Sequence, residues 1–354
     1  MKKVLFFIVM SVLVFLALIS CTKNDSPTTP AAANTPNATQ TAVAVQTAVA
    51  VQTAMAGLSY YSLVSVPGGT FTQQMDENSD GDVLDPNESF SHTISAFIMG
   101  QYEVTYELWY TVYQWAILPA QGYTFENAGA EGDAGTPGAA PTAAKYEPVT
   151  TISWRDVIVW CNAYSQMTGR VPVYCSDSGF TTPIKNSTDG TYGSSINTTP
   201  GSFDNPYVNW SANGYRLPTE GEWQYAASYK NGSSWTPYNY ASGAGADYTD
   251  AAACTTVAWY DVTSGIIAHD VGGKTANSLG IYDMSGNVWE RCWDWDGSYP
   301  TATSDYRGPA SGSYRGARGG SYDFIAFGLQ VSVRDASEPY SEYNGVGFRF
   351  ARSN

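Results

Sequence analysis

The sequence predicts an α+β fold with little regular secondary structure. The 354-residue chain contains 34 glycines, 26 tyrosines and 11 tryptophans, and long segments with a regular apolar period are few. Most of it is therefore expected in short strands and ordered loops. Residues 121–147 and 176–213 are rich in small and polar residues and are expected to be surface insertions. The length and the 43% apolar content allow one main domain with a sizeable core.

Helix start signals occur at three places. Thr105 can cap a helix that presents apolar residues on one face. Ser153 with Asp156, and Thr219 with Glu222, have the spacing of a capping box, in which the two side chains satisfy free N–H groups at the helix start. Three short helices are therefore expected after these residues.

The amino terminus has the features of a secretory signal. Met1-Lys2-Lys3 precedes an uncharged apolar run of about 17 residues, which is marginal for a bilayer span. The run ends in Leu18-Ile19-Ser20-Cys21, which resembles the lipobox of bacterial lipoproteins, where the cysteine is acylated. Residues 1–20 are therefore predicted to be a lipoprotein signal peptide and Cys21 its lipidation site. An ordinary signal peptide with an incidental cysteine is the alternative.

Residues 21–57 are predicted to be a flexible, low-complexity stalk. The hexad Gln-Thr-Ala-Val-Ala-Val begins at Gln40 and again at Gln46, and no large side chain is available to offset the entropy of ordering. An amphipathic helix is the alternative, but the segment lacks a charged face. Residues 58–354 form the predicted globular domain. Thr22, in place of an aspartate after Cys21, favours the outer membrane and the cell surface.

Charge limits the classes of partner. The chain has 17 basic and 32 acidic residues, a net charge of −15, which argues against nucleic acid or an anionic membrane surface. Contact with a membrane is expected through the lipid anchor only.

Four further cysteines, Cys161, Cys175, Cys254 and Cys292, lie in the globular part. An exported chain permits disulfides, but no spacing selects a pairing. Two disulfides and four buried free thiols both remain open.

Six segments between residues 66 and 350 follow the order of a known family. They are Val66-Pro67-Gly68-Gly69-Thr70-Phe71; Tyr102-Glu103-Val104-Thr105; Pro148-Val149 leading to Ser153-Trp154; Gly214-Tyr215-Arg216-Leu217-Pro218-Thr219-Glu220-Gly221-Glu222-Trp223; Leu279-Gly280-Ile281-Tyr282-Asp283-Met284-Ser285-Gly286-Asn287-Val288-Trp289-Glu290; and the pair Arg318-Gly319-Gly320-Ser321 and Val346-Gly347-Phe348-Arg349. This set resembles the formylglycine-generating enzyme (sulfatase-modifying factor) family. The resemblance implies a C-type-lectin-like fold.

The resemblance does not carry the family's activity with it. Enzymes of the family oxidise a target cysteine with a copper-binding cysteine pair, and the matching positions here are Phe324 and Leu329. Neither residue can ligate a metal or form a thiolate. The chain's two histidines, His92 and His269, lie in no ligand motif. No catalytic residue and no catalytic metal are therefore predicted, and an oxidase of this family is the alternative.

One structural metal site is implied by the resemblance. The family holds a calcium ion with side-chain oxygens at the positions of Asp283 and Glu290 and with main-chain carbonyls at Gly286 and Val288. Hard oxygen ligands on a tight loop suit Ca²⁺. The alternative is that Asp283 accepts N–H groups of the turn while Glu290 forms an ion pair with Arg318 or Arg349.

Residues 322–345, between the last two motifs, are predicted to be a variable ligand-binding segment. The segment contains no cysteine, and many of its residue types can arise by adenine-directed change of Asn (AAC) codons. With the lipobox, the scaffold and the carboxyl-terminal position, this resembles the variable proteins of diversity-generating retroelements, notably those of treponemes. A buried strand over residues 324–331 is the alternative. Leu329, Val331 and Arg334 are expected to be framework.

The predicted surface combines aromatic anchors with small polar residues, a composition typical of a paratope. Its residues are Tyr322, Asp323, Phe324, Ile325, Phe327, Gly328, Val333, Asp335, Ala336, Ser337, Ser341, Tyr343, Asn344 and Gly345. The expected partner is an unknown protein or glycan on host or neighbouring cells. A fixed carbohydrate-binding or structural envelope protein is a further alternative.

Overall fold

The computed structural model describes residues 55, 57–75, 89–188, 193–300 and 302–354. The predicted signal peptide, Cys21 and residues 22–54 of the predicted stalk lie outside the described residues.

All three predicted helices are present: α1 (Tyr106–Ala116), α2 (Trp154–Met167) and α3 (Glu220–Ser228). Thr105 caps α1, and both predicted capping boxes are complete, since each capping side chain and its partner three residues later satisfy one another's backbone N–H groups. A further short helix, α4 (Ala251–Val257), follows Asp250, whose carboxylate caps it. Within the described ranges, no helix has the length and apolarity needed to cross a bilayer.

Short strands make up the rest of the regular structure. They are β1 (Leu63–Val66), β2 (Gly69–Gln74), β3 (Ser89–Ile94), β4 (Phe97–Gly100), β5 (Ala130–Glu131), β6 (Val149–Thr150), β7 (Tyr174–Cys175), β8 (Tyr207–Val208), β9 (Trp289–Trp295), β10 (Ala302–Ser304), β11 (Arg315–Arg318), β12 (Arg334–Ser337), β13 (Val346–Gly347) and β14 (Ala351–Ser353). Their sheets have the orders β1-β4-β14, β10-β3-β2, β12-β11-β9-β13, β5-β6 and β7-β8. A 3-10 turn covers Ala326–Leu329.

The four-stranded sheet positions the carboxyl-terminal segment. Strand β9 pairs antiparallel with β11 on one side and parallel with β13 on the other, and β12 pairs with the outer edge of β11. Strand β11 ends in the first of the last two motifs, and β13 begins the second. Both ends of residues 322–345 are therefore held in one sheet.

The core is largely aromatic. The rings of Trp109 on α1 and Trp160 on α2 stack with centroids 5.7 Å apart, and Phe348 packs edge-on against both. A second cluster surrounds Trp223 on α3 and includes Phe71 on β2. Large rings bury much apolar area each, which stabilises a chain with little regular structure.

Buried arginines hold many of the irregular segments. Arg349 donates to the carbonyls of Tyr282 and Asp283, and Arg315 donates to that of Asp204. Loop carbonyls have no strand partner, and an arginine offers five donors in a fixed arrangement, so one guanidinium can satisfy several buried acceptors.

The two predicted surface insertions are only partly on the surface. Tyr123 belongs to the aromatic core, and Asp204 is buried in an ion pair with Arg155, with an Oδ1 to Nε distance of 2.7 Å. Composition did not predict this burial, because each insertion is anchored by a few large or charged residues among many small ones.

All four cysteines of the globular part, Cys161, Cys175, Cys254 and Cys292, are free and buried. Of the two alternatives, the structure therefore has free thiols rather than disulfides. Burial is the first cause that raises the pKa of each thiol, which keeps it protonated.

Candidate ligand-binding surface

The carboxyl-terminal segment lines a groove of about 420 Å³ beside the four-stranded sheet. Trp289 on β9, Ala317 on β11 and Val346 on β13 contribute scaffold side chains to it. Eight of the predicted binding residues line it as well: Asp323, Phe324, Asp335, Ala336, Ser337, Tyr343, Asn344 and Gly345. The structure thus brings both halves of the segment, before and after β12, to one place.

Aromatic and carboxylate groups shape the groove. The Phe324 ring packs edge-on against Trp289 with centroids 5.4 Å apart. Ser321 donates its hydroxyl to the Asp323 carboxylate at 2.6 Å, which orients that acid. The result is an apolar base with acidic groups at its edge, an arrangement suited to a partner with an apolar and a basic part.

The scaffold holds the main chain of the segment at both ends. The Tyr322 N–H donates to the Asn287 carbonyl at 2.7 Å, and the Ser264 hydroxyl donates to the Tyr322 carbonyl at 2.5 Å. At the other end, the Trp289 N–H donates to the Gly345 carbonyl at 2.9 Å, and the Thr151 N–H donates to the Tyr343 carbonyl at 3.0 Å. These groups on the segment are present whatever side chain the residue carries.

Arg318 extends this principle to the middle of the segment. Its Nη1 donates to the carbonyls of three consecutive residues, Val331, Ser332 and Val333, at 3.3, 3.0 and 3.2 Å. Arg291 reaches the later part and donates from Nη2 to the Ser341 carbonyl at 2.5 Å.

A buried carboxylate, that of Glu220, holds both Arg318 and the first residue of β12, Arg334. Glu220, at the start of α3, accepts from Arg318 Nε at 2.9 Å and from Arg334 Nη2 at 2.6 Å. Burial opposes the charge of Arg334, but Glu220 and its neighbours more than offset this and raise its pKa. Leu329 and Val331 are fully buried and Arg334 is ion-paired with Glu220, so all three are framework, as predicted.

Asp294 lies beside this network. Its Oδ2 accepts from the Glu220 N–H at 2.8 Å, and burial together with the Glu220 charge raises the pKa of Asp294 to about 8. A neutral Asp294 avoids a second buried anion next to Glu220.

Three predicted binding residues are wrong, because the structure buries them. Tyr322 is only 3% exposed and packs against Ala268 and Val288, while Val333 packs against Trp289 and Ala317. Gly328 lies under the Phe324 ring, where a Cβ would come within 2.4 Å of Phe324 Cδ1.

The other three predicted binding residues, Ile325, Phe327 and Ser341, do not line the groove. Ile325 is exposed, and Phe327 is half-buried with its ring edge-on to Tyr248. Ser341 lines a separate polar cavity with Tyr340 and Arg155. Ser341 therefore belongs to a neighbouring surface.

The predicted calcium ligands have other partners. Both Glu290 oxygens are within 2.5 Å of Arg349 guanidinium nitrogens, and Trp223 Nε1 donates to one of them at 2.8 Å. Asp283 accepts from the Gly272 N–H at 2.6 Å. A Cβ on Gly286 would lie 2.2 Å from the Trp259 carbonyl oxygen, so close packing explains this glycine.

These contacts match the alternative, in which Asp283 accepts an N–H group and Glu290 forms an ion pair. The cation of that pair is Arg349, because Arg318 pairs with Glu220. Among the described residues, no group of three or more His, Cys, Asp or Glu is arranged to hold a metal ion. A calcium ion using Asp283, Gly286, Val288 and Glu290 does not fit this arrangement, because Glu290 has no oxygen free of the guanidinium.

Sequence reasoning missed the scaffold part of the groove. Trp289, Ala317 and Val346 lie on three strands that are adjacent only in space. The one available signal was that all three lie in or beside motifs shared with the family.

Fold and groove together define a class: a C-type-lectin-like domain whose carboxyl-terminal segment lines a surface groove. Residues 48–354 match the family described as sulfatase-modifying factor enzyme 1-like domain, and the chain belongs to this family.

Relatives and solved structures agree with this placement. The chain is 31% identical to the chaperone protein LppX of Paenibacillus barcinonensis over 264 residues, 69% of this chain and 75% of that protein. It is 33% identical to the formylglycine-generating enzyme of Streptomyces coelicolor over 41% of this chain and 48% of that enzyme. It resembles the structure of Treponema denticola variable protein 1 with a TM-score of 0.62 and 28% identity, over 84% of this chain and 97% of that one. Both predicted resemblances, to the family and to variable proteins, are confirmed.

Proposed function

We propose that this chain is an exported, lipid-anchored protein that binds a macromolecular ligand at the cell surface through the groove lined by residues 322–345. The main support is that main-chain anchoring and groove-lining side chains are separate features of this segment. The scaffold holds the segment by its main chain, while eight of its residues line the groove. Such a segment can change its groove-lining side chains and keep its shape.

In this proposal the scaffold does not catalyse. The family's cysteine positions are occupied by Phe324, which lines the groove, and by Leu329, which is fully buried. Neither side chain can serve as a nucleophile or a copper ligand. The two histidines offer no substitute, because His92 is buried between Gln73 and the Tyr306 N–H while His269 stacks on Trp259.

Diversification of the segment is part of the proposal. It is supported by the residue types of residues 322–345 and by the similarity to Treponema denticola variable protein 1. Export with a lipid on Cys21 is supported by the Leu18-Ile19-Ser20-Cys21 sequence, and display on the outer membrane by Thr22 in place of an aspartate.

Binding is tested with two variants that remove similar exposed rings. The full chain, Phe324→Ala and Phe180→Ala are applied to an array of purified glycans and cell-surface proteins. Phe324 and Phe180 are 39% and 41% exposed, so they are matched in accessibility, but only Phe324 lines the groove. We expect at least one ligand whose affinity falls about tenfold or more for Phe324→Ala and is unchanged for Phe180→Ala. If every bound ligand treats the two variants alike, the groove is not the binding site.

Diversification has its own test. Deep sequencing of the gene in a grown population, with a search for a near-identical template repeat nearby, should find differences confined to template adenines in codons 322–345. An invariant segment without a template would leave a fixed binding protein.

A further inference from the structure

We infer that the binding surface extends beyond the groove onto a fixed apolar ridge formed by Val262, Ile266 and Ile267, and that one basic protein surface covers both. This inference rests on the proposed function and specifies the chemistry of the partner. The ridge lies outside residues 322–345, so it would contribute the same contacts whatever residues the variable segment carries.

The ridge is an unusual concentration of exposed aliphatic residues. Val262 is 70% exposed, Ile266 54% and Ile267 48%, all within six consecutive residues. Apolar residues exposed together, rather than singly, mark an interaction surface because leaving them in water is unfavourable.

The loop that carries the ridge is joined to the start of the variable segment. The Asp261 N–H donates to the Phe324 carbonyl at 3.1 Å, and the Ser264 hydroxyl donates to the Tyr322 carbonyl. Ile325, which follows Phe324 in the segment, is also exposed. A partner seated on Phe324 and Ile325 therefore lies beside the ridge.

Ile266 has a backbone conformation that its side chain disfavours. Its φ is +65°, in the left-handed region that is sterically unfavourable for a β-branched residue. The preceding Gly265, at φ +69°, adopts this region without penalty, and a second glycine at position 266 would do the same. Strained backbone of this kind is concentrated at binding sites, where the side chain contacts a ligand rather than stabilising the fold.

Charge selects the partner. Asp133 lies between ridge and groove, because its carboxylate accepts from the Ala268 N–H at 2.8 Å and its carbonyl from Asn344 Nδ2 at 3.5 Å. Asp133 also lines a cavity of about 450 Å³, together with Glu131, Glu147 and Ile267.

No Lys, Arg or His is found among the described residues that line this cavity or the groove. Burial and the charges of Asp133, Asp270 and Glu131 raise the pKa of Glu147 to about 7, as expected where negative charges lack partners. An acidic surface around apolar side chains complements a protein with basic residues around an apolar patch. A glycan lacks aliphatic side chains to cover the ridge, and an anionic membrane would be repelled.

A random peptide library displayed on phage tests the inference on the full chain. We expect the selected peptides to combine Lys or Arg with aliphatic residues. Their affinity should fall about tenfold or more for Ile266→Gly and for Glu147→Gln, and also for Phe324→Ala. Ile266→Gly should not lower the thermal midpoint, because glycine relieves the strained φ, so its loss of affinity cannot come from misfolding. Val171→Gly removes an exposed aliphatic residue elsewhere and should leave affinity unchanged.

The other outcomes separate the two proposals. Peptides that lose affinity for Phe324→Ala but bind Ile266→Gly and Glu147→Gln normally would overturn the ridge and leave the groove in place. Peptides unaffected by all three variants would overturn both. A selection dominated by acidic peptides, or one without enrichment over beads lacking the protein, would overturn the basic partner.

Discussion

Replacing Glu220 by glutamine should destabilise the whole domain, because this carboxylate is the ion-pair partner of the buried Arg318 and one of two partners of Arg334, the other being the more exposed Asp296. Arg318 is fully buried and Arg334 nearly so, and Glu220 pairs with both. Glutamine keeps the shape and one acceptor oxygen but removes the charge. Breaking a buried ion pair by removing one partner costs about 3–5 kcal/mol. The free energy of unfolding of a domain is roughly 5–15 kcal/mol, so this loss would remove a large share of it.

The assay is equilibrium unfolding in urea, followed by tryptophan fluorescence. A matched control is Glu107→Gln, which breaks the partly exposed ion pair with Lys145 and should cost about 1 kcal/mol or less. Because Arg318 also holds the carbonyls of Val331, Ser332 and Val333, Glu220→Gln should in addition weaken ligand binding at the groove. A loss of stability no larger than that of the control would refute the role assigned to Glu220.

Three further predictions follow from burial and charge. Asp294→Asn should gain stability relative to the wild type as pH rises from about 4 to about 8, because the raised pKa of Asp294 makes the wild type lose stability through that window; a difference in unfolding free energy between the two proteins that is the same at pH 5 and at pH 8 would contradict this. None of Cys161, Cys175, Cys254 and Cys292 should react with a thiol reagent at pH 8 until the chain is unfolded, and rapid modification of the native protein would contradict their burial. The thermal midpoint should be the same in calcium and in a chelator, since Arg349 and Trp223 engage Glu290, and an upward shift in calcium would show that the turn rearranges to bind the ion.

The sequence was most informative where the physics is local. A capping box depends on residues three apart, so Ser153 with Asp156 and Thr219 with Glu222 located two helices correctly. Helix α4 lacks a long apolar period, and only Asp250 marks its start.

Non-local pairing could not be derived from local pattern. Tyr322 fits an exposed aromatic anchor by composition, but its neighbours Ala268 and Val288 are distant in the chain and bury it. The sequence likewise allowed either a metal ion or an arginine as the partner of Glu290. The position of Arg349 in the structure decides between the two. The shared motifs identified the scaffold, whereas the fit of side chains against it depends on contacts between residues that are distant in the chain.

Holding a recognition segment by its carbonyls has a consequence for how the gene can change. A mutation in the codons of the eight groove-lining residues alters what the groove presents without removing a main-chain acceptor, because the carbonyl oxygens are common to all residues. Alleles should therefore differ widely in specificity and little in abundance. Under the proposed diversification, a population of cells carries many versions of the groove at once, and few cells lose a folded protein when the side chains of the groove change.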